Sequence, residues 1–177
     1  MWYVMQVRAT REQEILKLCE ERVKRSGEEF FIMRCLRFYR EPEGIWIKKE
    51  VKAFPGYIFI DTENIDEIRE RLYLIPDLTK LLGAGDEIFP IYEDEENLLK
   101  LLGEKEHLIR ASSYFKDGEK IIVTEGSLVG LEAYITWVNP HKKTVCIDVP
   151  LAGRVVSTKL AMEEVTRPED VIDKGGS

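Results

Sequence analysis

The stretch Tyr57–Asp61, Y-I-F-I-D, constrains this chain most, because it reads as a strand with no polar face. Strand side chains alternate between two sides, so Tyr57 and Phe59 point one way and Ile58 and Ile60 the other. A sheet with one wet face would show a polar residue at every second position. Both sides of this strand therefore need a cover. Helices of the same chain on both faces are one solution. An aromatic patch left open for a partner is the other, since large exposed apolar patches mark interaction sites. Phe54 and Pro55 extend that edge, and Trp2 and Tyr3 join it if the first strand lies alongside. Pro55-Gly56 supplies a turn that sets the strand's entry angle.

The pattern around this strand predicts an α+β first part. Trp2–Arg8 reads as a strand, rich in aromatic and branched residues. Thr10 with Gln13 three residues on matches a capping box, and Ile15, Leu16, Cys19 and Val23 recur at helical spacing before Gly27. Phe30–Phe38 reads as a second strand, Pro42 and Gly44 as a turn, and Ile45–Phe54 as a returning strand whose charged half faces water. Asn64, with Glu67 three on, opens a second helix ended by Pro76. Glu93–Glu96 place four acids in the first turn of a third helix, where the helix dipole favours negative charge, and Gly103 closes it. From Lys120 onward the helical period disappears. I-I-V, A-Y-I-T-W-V, T-V-C-I-D-V and R-V-V-S-T-K-L are short strands separated by turn residues, the spacing of a small antiparallel barrel of about five strands.

Composition narrows the function. The 177 residues, 44% hydrophobic and 33% charged, suit one or two small globular domains. No apolar run approaches the ~18 residues that span a membrane, and Met1–Thr10 lacks the basic start of a signal peptide. Cys19, Cys35 and Cys146 are odd in number and far apart, which fits a reduced cytoplasmic protein with core cysteines. His107 and His141 have no partner at ligand spacing, so neither a metal nor a cofactor is expected, and no residue is marked as catalytic. A binding protein is the better reading than an enzyme. Residues 1–52 carry 12 basic and 9 acidic side chains, whereas 61–106 carry 5 and 14. One face thus tolerates nucleic acid and another repels it, although solvated helix faces give the same counts.

W-Y-V-x-Q at Trp2–Gln6 and K-x-F-P-G-Y-x-F-I at Lys52–Ile60 resemble the N-terminal domain of the NusG family of transcription elongation factors. Gly126, Asn139-Pro140, Gly153-Arg154, Leu160 and Val165 are similar to its C-terminal KOW domain. The resemblance implies an α+β N-terminal (NGN) domain over 1–105, an antiparallel sheet flanked by helices. A linker over 106–116, a small all-β, SH3-like KOW barrel over 117–167 and a frayed tail over 168–177 follow. It further implies a monomer that rides on the clamp helices of bacterial RNA polymerase. Trp2, Phe54, Pro55, Tyr57, Phe59 and Leu81 would form the apolar seat, a helix-in-groove contact.

Departures from the family pattern point to a specialised paralogue in the RfaH-like branch, resembling the LoaP group. Ala133 stands where barrels of the family carry a turn glycine, which shifts the sharp turn onto Gly130. Leu151-Ala152 stand where housekeeping members place a bulky aromatic that docks Rho or a ribosomal protein. Lys159 replaces an acid, and with Lys142, Lys143 and Arg154 it makes a basic edge on a barrel segment of 6 basic and 7 acidic residues, 117–167. The resemblance implies that these bind a leader RNA hairpin, by phosphate contacts and shape. Arg8 and Arg11 match positions near the displaced non-template DNA strand. The expected function is processive antitermination. A housekeeping factor coupling polymerase to Rho or the ribosome is the first alternative, and a free RNA-binding module akin to ribosomal KOW proteins the second.

Overall fold

The computed structural model describes residues 1–78 and 88–169. The chain divides into two units, each assembled from segments distant in sequence. Residues 1–33, 54–100 and 150–155 make the first; residues 34–53, 101–149 and those from 156 onward make the second.

In the first unit, β5 (Tyr57–Asp61) is an inner strand, flanked by β1 (Trp2–Gln6) and β2 (Glu29–Phe31), with β6 (Ile88–Pro90) beyond β1. β1 and β5 are antiparallel, with Val4 opposite Phe59 and Gln6 opposite Tyr57. This register puts Met5, Ile58 and Ile60 on one face. There they share a buried cluster with Ile15, Cys19 and Val23 from the first helix and Ile68 and Leu72 from the second. Trp2, Val4, Phe31 and Phe59 lie on the other face, and all are buried.

The first helix, α1 (Glu12–Leu18), continues into a wider π-type turn over Cys19–Val23. Thr10 does not cap it. A hydrogen bond from Arg11 N to Arg8 O closes a turn that contains Thr10, and Arg11 becomes the N-cap residue. α2 (Ile65–Tyr73) starts as expected, with the Asn64 side chain accepting from Glu67 N. α3 (Glu93–Gly103) keeps its four acids in the first turn.

The segment read as one strand over Phe30–Phe38 is two, β2 and β3 (Arg34–Arg40). Phe30 and Phe31 pair with β5, whereas Arg34 onward pairs with β4 (Trp46–Lys52). In the second unit, β3 and β4 form a hairpin extended by β7 (Leu108–Ile109), parallel to β3. A five-stranded sheet follows the order β10-β11-β12-β8-β9, where β8 is Ser112–Asp117, β9 Lys120–Glu125, β10 Ile135–Asn139, β11 Thr144–Leu151 and β12 Arg154–Glu164. Residues 106–116, read as a link, thus carry β7 and most of β8. β8 pairs antiparallel with β9 across a turn at Gly118 and Glu119, and its first residues pair in parallel with β12, about fifty residues away. Gly130 takes φ +77 just before the short 3₁₀ turn containing Ala133. Gly126 takes φ +96, and a Cβ there would lie 2.2 Å from Ala111 O, so only glycine fits.

All three cysteines are free and buried. Burial pushes the Cys19 thiol up to about 12, helped by the charge of Glu20. Burial likewise pushes Cys35 up to about 11, against the opposing charge of Arg37. A raised thiol pKa favours the neutral folded form. That stabilisation is complete below the unfolded value of 9.0 and is lost as pH rises toward 11–12. We predict that no thiol reacts with a disulfide reagent at pH 8 until denaturant is added. Unfolding free energy falls between pH 9 and 11, and Cys19→Ala flattens that slope.

Candidate functional site

Phe54–Tyr57 is a turn closed by a hydrogen bond from Tyr57 N to Phe54 O, 3.2 Å, with Pro55 and Gly56 in its two central places. Gly56 has φ +88, as the second central place of a type II turn demands. Its backbone is tied on both sides. Val7 N donates to Gly56 O at 2.8 Å, and Gly56 N donates to the Glu12 carboxylate at 2.6 Å. A Cβ at Gly56 would lie 3.1 Å from Val7 O. Glu12 is fully buried, so the first residue of α1 anchors the mouth of β5 with a buried hydrogen bond.

Behind the turn the rings close on one another. Phe59 stacks on Phe31 at 5.4 Å and meets Trp2 and Phe54 edge-on at 6.2 and 6.1 Å; Trp2 meets Phe31 at 4.9 Å. α3 reaches this cluster: Glu96 accepts the Trp2 backbone N–H at 2.6 Å, and the Lys100 ammonium stands 5.3 Å over the Trp2 ring. Trp2, Phe54 and Phe59 are 3%, 1% and 0% exposed. The expectation of an open aromatic seat is corrected for these three: they are core. Pro55 is exposed and Tyr57 half-buried. Leu81 lies outside the described residues.

The basic residues are placed less uniformly than a single edge requires. Arg8 and Arg11 are exposed at the β1–α1 connection, where Arg11 pairs with Glu14 at 2.7 Å. Arg154 belongs to the first unit, donates to Gln6 Oε1 at 3.1 Å and covers the Phe89 ring at 5.4 Å. Lys142, Lys143 and Lys159 belong to the second unit. Lys142 is exposed in the β10–β11 turn, its N–H donating to the Asn139 side chain. Lys143 pairs with Glu163 at 2.8 Å, and Lys159 stands 5.9 Å over Trp137.

Glu95 was not expected as a site residue. Its carboxylate, 3% exposed, accepts from Tyr92 N, Ala152 N and Gly153 N at 3.0, 3.0 and 3.3 Å. It therefore holds the turn that carries the unusual Leu151-Ala152, where Ala152 has φ +52 and Leu151 is buried. Glu95 is one of four consecutive acids, and only the fold singles it out. Trp137, 43% exposed, was also missed, because its strand alternates too weakly to say which face meets water.

Comparison with known proteins decides the family. The model of the family "Transcription termination factor nusG" matches residues 1–100. This chain belongs to the NusG family. The NusG transcription termination/antitermination protein of Thermus thermophilus is 30% identical over 182 residues, covering 94% of this chain and 97% of that protein. Its counterpart in Pasteurella multocida is 28% identical, covering 68% of this chain and 67% of that protein. A solved structure of Thermotoga maritima NusG covers 90% of this chain and 92% of that one, with a TM-score of 0.46 and 17% identity. The chain is a NusG-type transcription termination/antitermination factor. Among the described residues no group of three or more acidic, histidine or cysteine side chains could hold a metal, and no helix is long and apolar enough to cross a membrane.

Gly56→Ala forces a β-carbon into left-handed backbone against Val7 O. It is expected to cost about 2 kcal/mol. Glu12→Ala strands the buried Gly56 N–H and costs a similar amount, while Glu12→Gln keeps an acceptor and loses less. Thermal melts of the three variants check the order: Glu12→Gln melts highest.

Proposed function

We propose that this NusG-family chain is a specialised, polymerase-bound processivity and antitermination factor. Residues 1–105 act as the polymerase-binding domain and 117–167 as a KOW-type barrel that contacts nucleic acid. One observation carries the specialised reading. The turn where housekeeping members present an aromatic holds Leu151, buried, and Ala152, whose N–H is taken by Glu95. The turn carries no aromatic of its own; the ring beside it is that of Tyr92, the residue before α3, which is 60% exposed and would lie 3.7 Å from a Cβ at Gly153.

The polymerase contact rests on family membership and on the accessible rim of the aromatic cluster. Tyr57 and Pro55 supply that rim, with Trp2, Phe54 and Phe59 as the rigid layer beneath and Leu81 completing the seat. The partner is the clamp helices of bacterial RNA polymerase, met by a monomer of this chain in the cytoplasm. Arg8 and Arg11 face the displaced DNA strand, and Lys142, Lys143, Arg154 and Lys159 serve leader RNA. Near full-length similarity to the Thermus thermophilus protein favours a second reading, a housekeeping factor that couples polymerase to Rho or the ribosome.

Polymerase co-purification tests the proposal. Tyr57→Ala, a half-buried side chain, is expected to stay folded and lose most bound polymerase. Phe59→Ala is expected to cost about 3–5 kcal/mol and lose the fold itself. Folded Tyr57→Ala retaining polymerase at the wild-type level removes the proposed seat. Capture of Rho by the wild-type chain decides for the housekeeping reading. For the RNA arm, neutralising Lys142, Lys143, Arg154 and Lys159 together is expected to reduce the salt slope of leader-RNA binding by roughly three to four. An unchanged slope removes these four residues.

A further inference from the structure

Residues 34–53, the segment of the β3–β4 hairpin, carry six basic and three acidic side chains in a chain of net charge −7. Strand pairing sorts them. Phe38 lies opposite Lys48 and Arg40 opposite Trp46, so these four share one face. Phe38 and Trp46 are half-buried and meet edge-on at 6.4 Å. Ammonium groups stand over both rings. Lys48 stands 5.6 Å over Phe38, and Lys143 stands 5.3 Å over Phe38 and 5.2 Å over Trp46. The acids in reach are Glu163, which holds Lys143 at 2.8 Å, and Glu50, which pairs with Arg34 at 2.6 Å.

This pairing of rings with cations is chemically directional. Lys48, exposed, is held over its ring weakly and on a flexible stem, whereas Lys143 is largely buried and also ion-paired to Glu163. A nucleobase stacks on the same ring more strongly, and its neighbouring phosphates attract the displaced ammonium. An acidic peptide would use the charges and leave the ring faces idle. A duplex hides its bases' faces within the stack. We propose that this face of the β3–β4 hairpin, with Lys143, binds single-stranded nucleic acid, stacking a base on Trp46 and holding flanking phosphates with Lys48, Arg40 and Lys143. The proposal rests on the nucleic-acid reading above and adds the site and the strandedness.

Fluorescence anisotropy of a labelled uridine RNA of about twelve nucleotides, bound by the full chain, tests it. Trp46→Leu keeps apolar bulk and removes the stacking surface; binding is expected to weaken about tenfold. Lys48→Gln, an exposed change, is expected to weaken it several-fold and reduce the salt slope by about one. Glu163→Gln frees Lys143 and is expected to tighten binding. Thermal melts confirm that each variant is folded. Unchanged affinity in folded Trp46→Leu overturns the proposal, as does equal affinity for the same strand in a duplex. If the fourfold neutralised variant loses the RNA while Trp46→Leu keeps it, the broader nucleic-acid reading stands and this site falls. If the wild-type chain binds no single strand at all, both fall.

Discussion

The two-sided burial of β5 is the constraint on which the first unit depends. A strand of Tyr57, Ile58, Phe59 and Ile60 has no side that gains from water, so one layer of helix cannot satisfy it. The structure places α1 and α2 over the isoleucine face and closes the aromatic face with rings from β1, β2 and the turn, with α3 reaching Trp2. Burying rings of this size contributes roughly 2–3 kcal/mol each. Leaving three of them open would forfeit much of the core. That explains why the residues most suggestive of a docking surface are mostly structural.

Polar groups then do the locating. Two buried carboxylates, Glu12 and Glu95, each hold backbone N–H groups of a distant turn: Glu12 at Gly56, Glu95 at Ala152 and Gly153. Such groups are costly to bury unless their hydrogen bonds are satisfied, and here the acceptors are ionisable oxygens, which make the stronger bonds. Each turn includes a residue at positive φ, and at Ala152, a non-glycine, the Glu95 carboxylate stabilises a conformation that the local chain disfavours. In both cases the acid comes from the first turn of a helix. Acids there also complement the helix dipole, so one residue serves two purposes.

The second unit uses charge differently. Its lysines are spread over half-exposed rings, at Phe38, Tyr39, Trp46 and Trp137. These rings stay partly exposed, whereas the sealed cluster of Trp2, Phe31, Phe54 and Phe59 in the first unit is committed to the core.

Local signals in the sequence carried much of this. The Asn64 cap, the acid-rich start at Glu93 and the span of β5 all depend on neighbours within a few residues, and each was legible. So was the family, because W-Y-V-x-Q and F-P-G-Y combine rare residues at set spacings. Contacts between distant segments were not legible. Alternation told that β5 has two apolar faces but not what covers them, since that depends on where Phe31 and α3 arrive. Thr10 matched a capping motif, but the turn from Arg8 to Arg11 takes it up. The strand at Ser112–Asp117 was missed although its hairpin mate β9 follows directly, and only its parallel pairing with β12 joins distant segments. Of four consecutive acids, only folding selected Glu95. Lys143 and Arg154, alike as charges in the sequence, went to different units. Residue type and spacing determine which elements can form. Which surface each side chain finally shares is a property of chain segments tens of residues apart, and only the tertiary structure decides it.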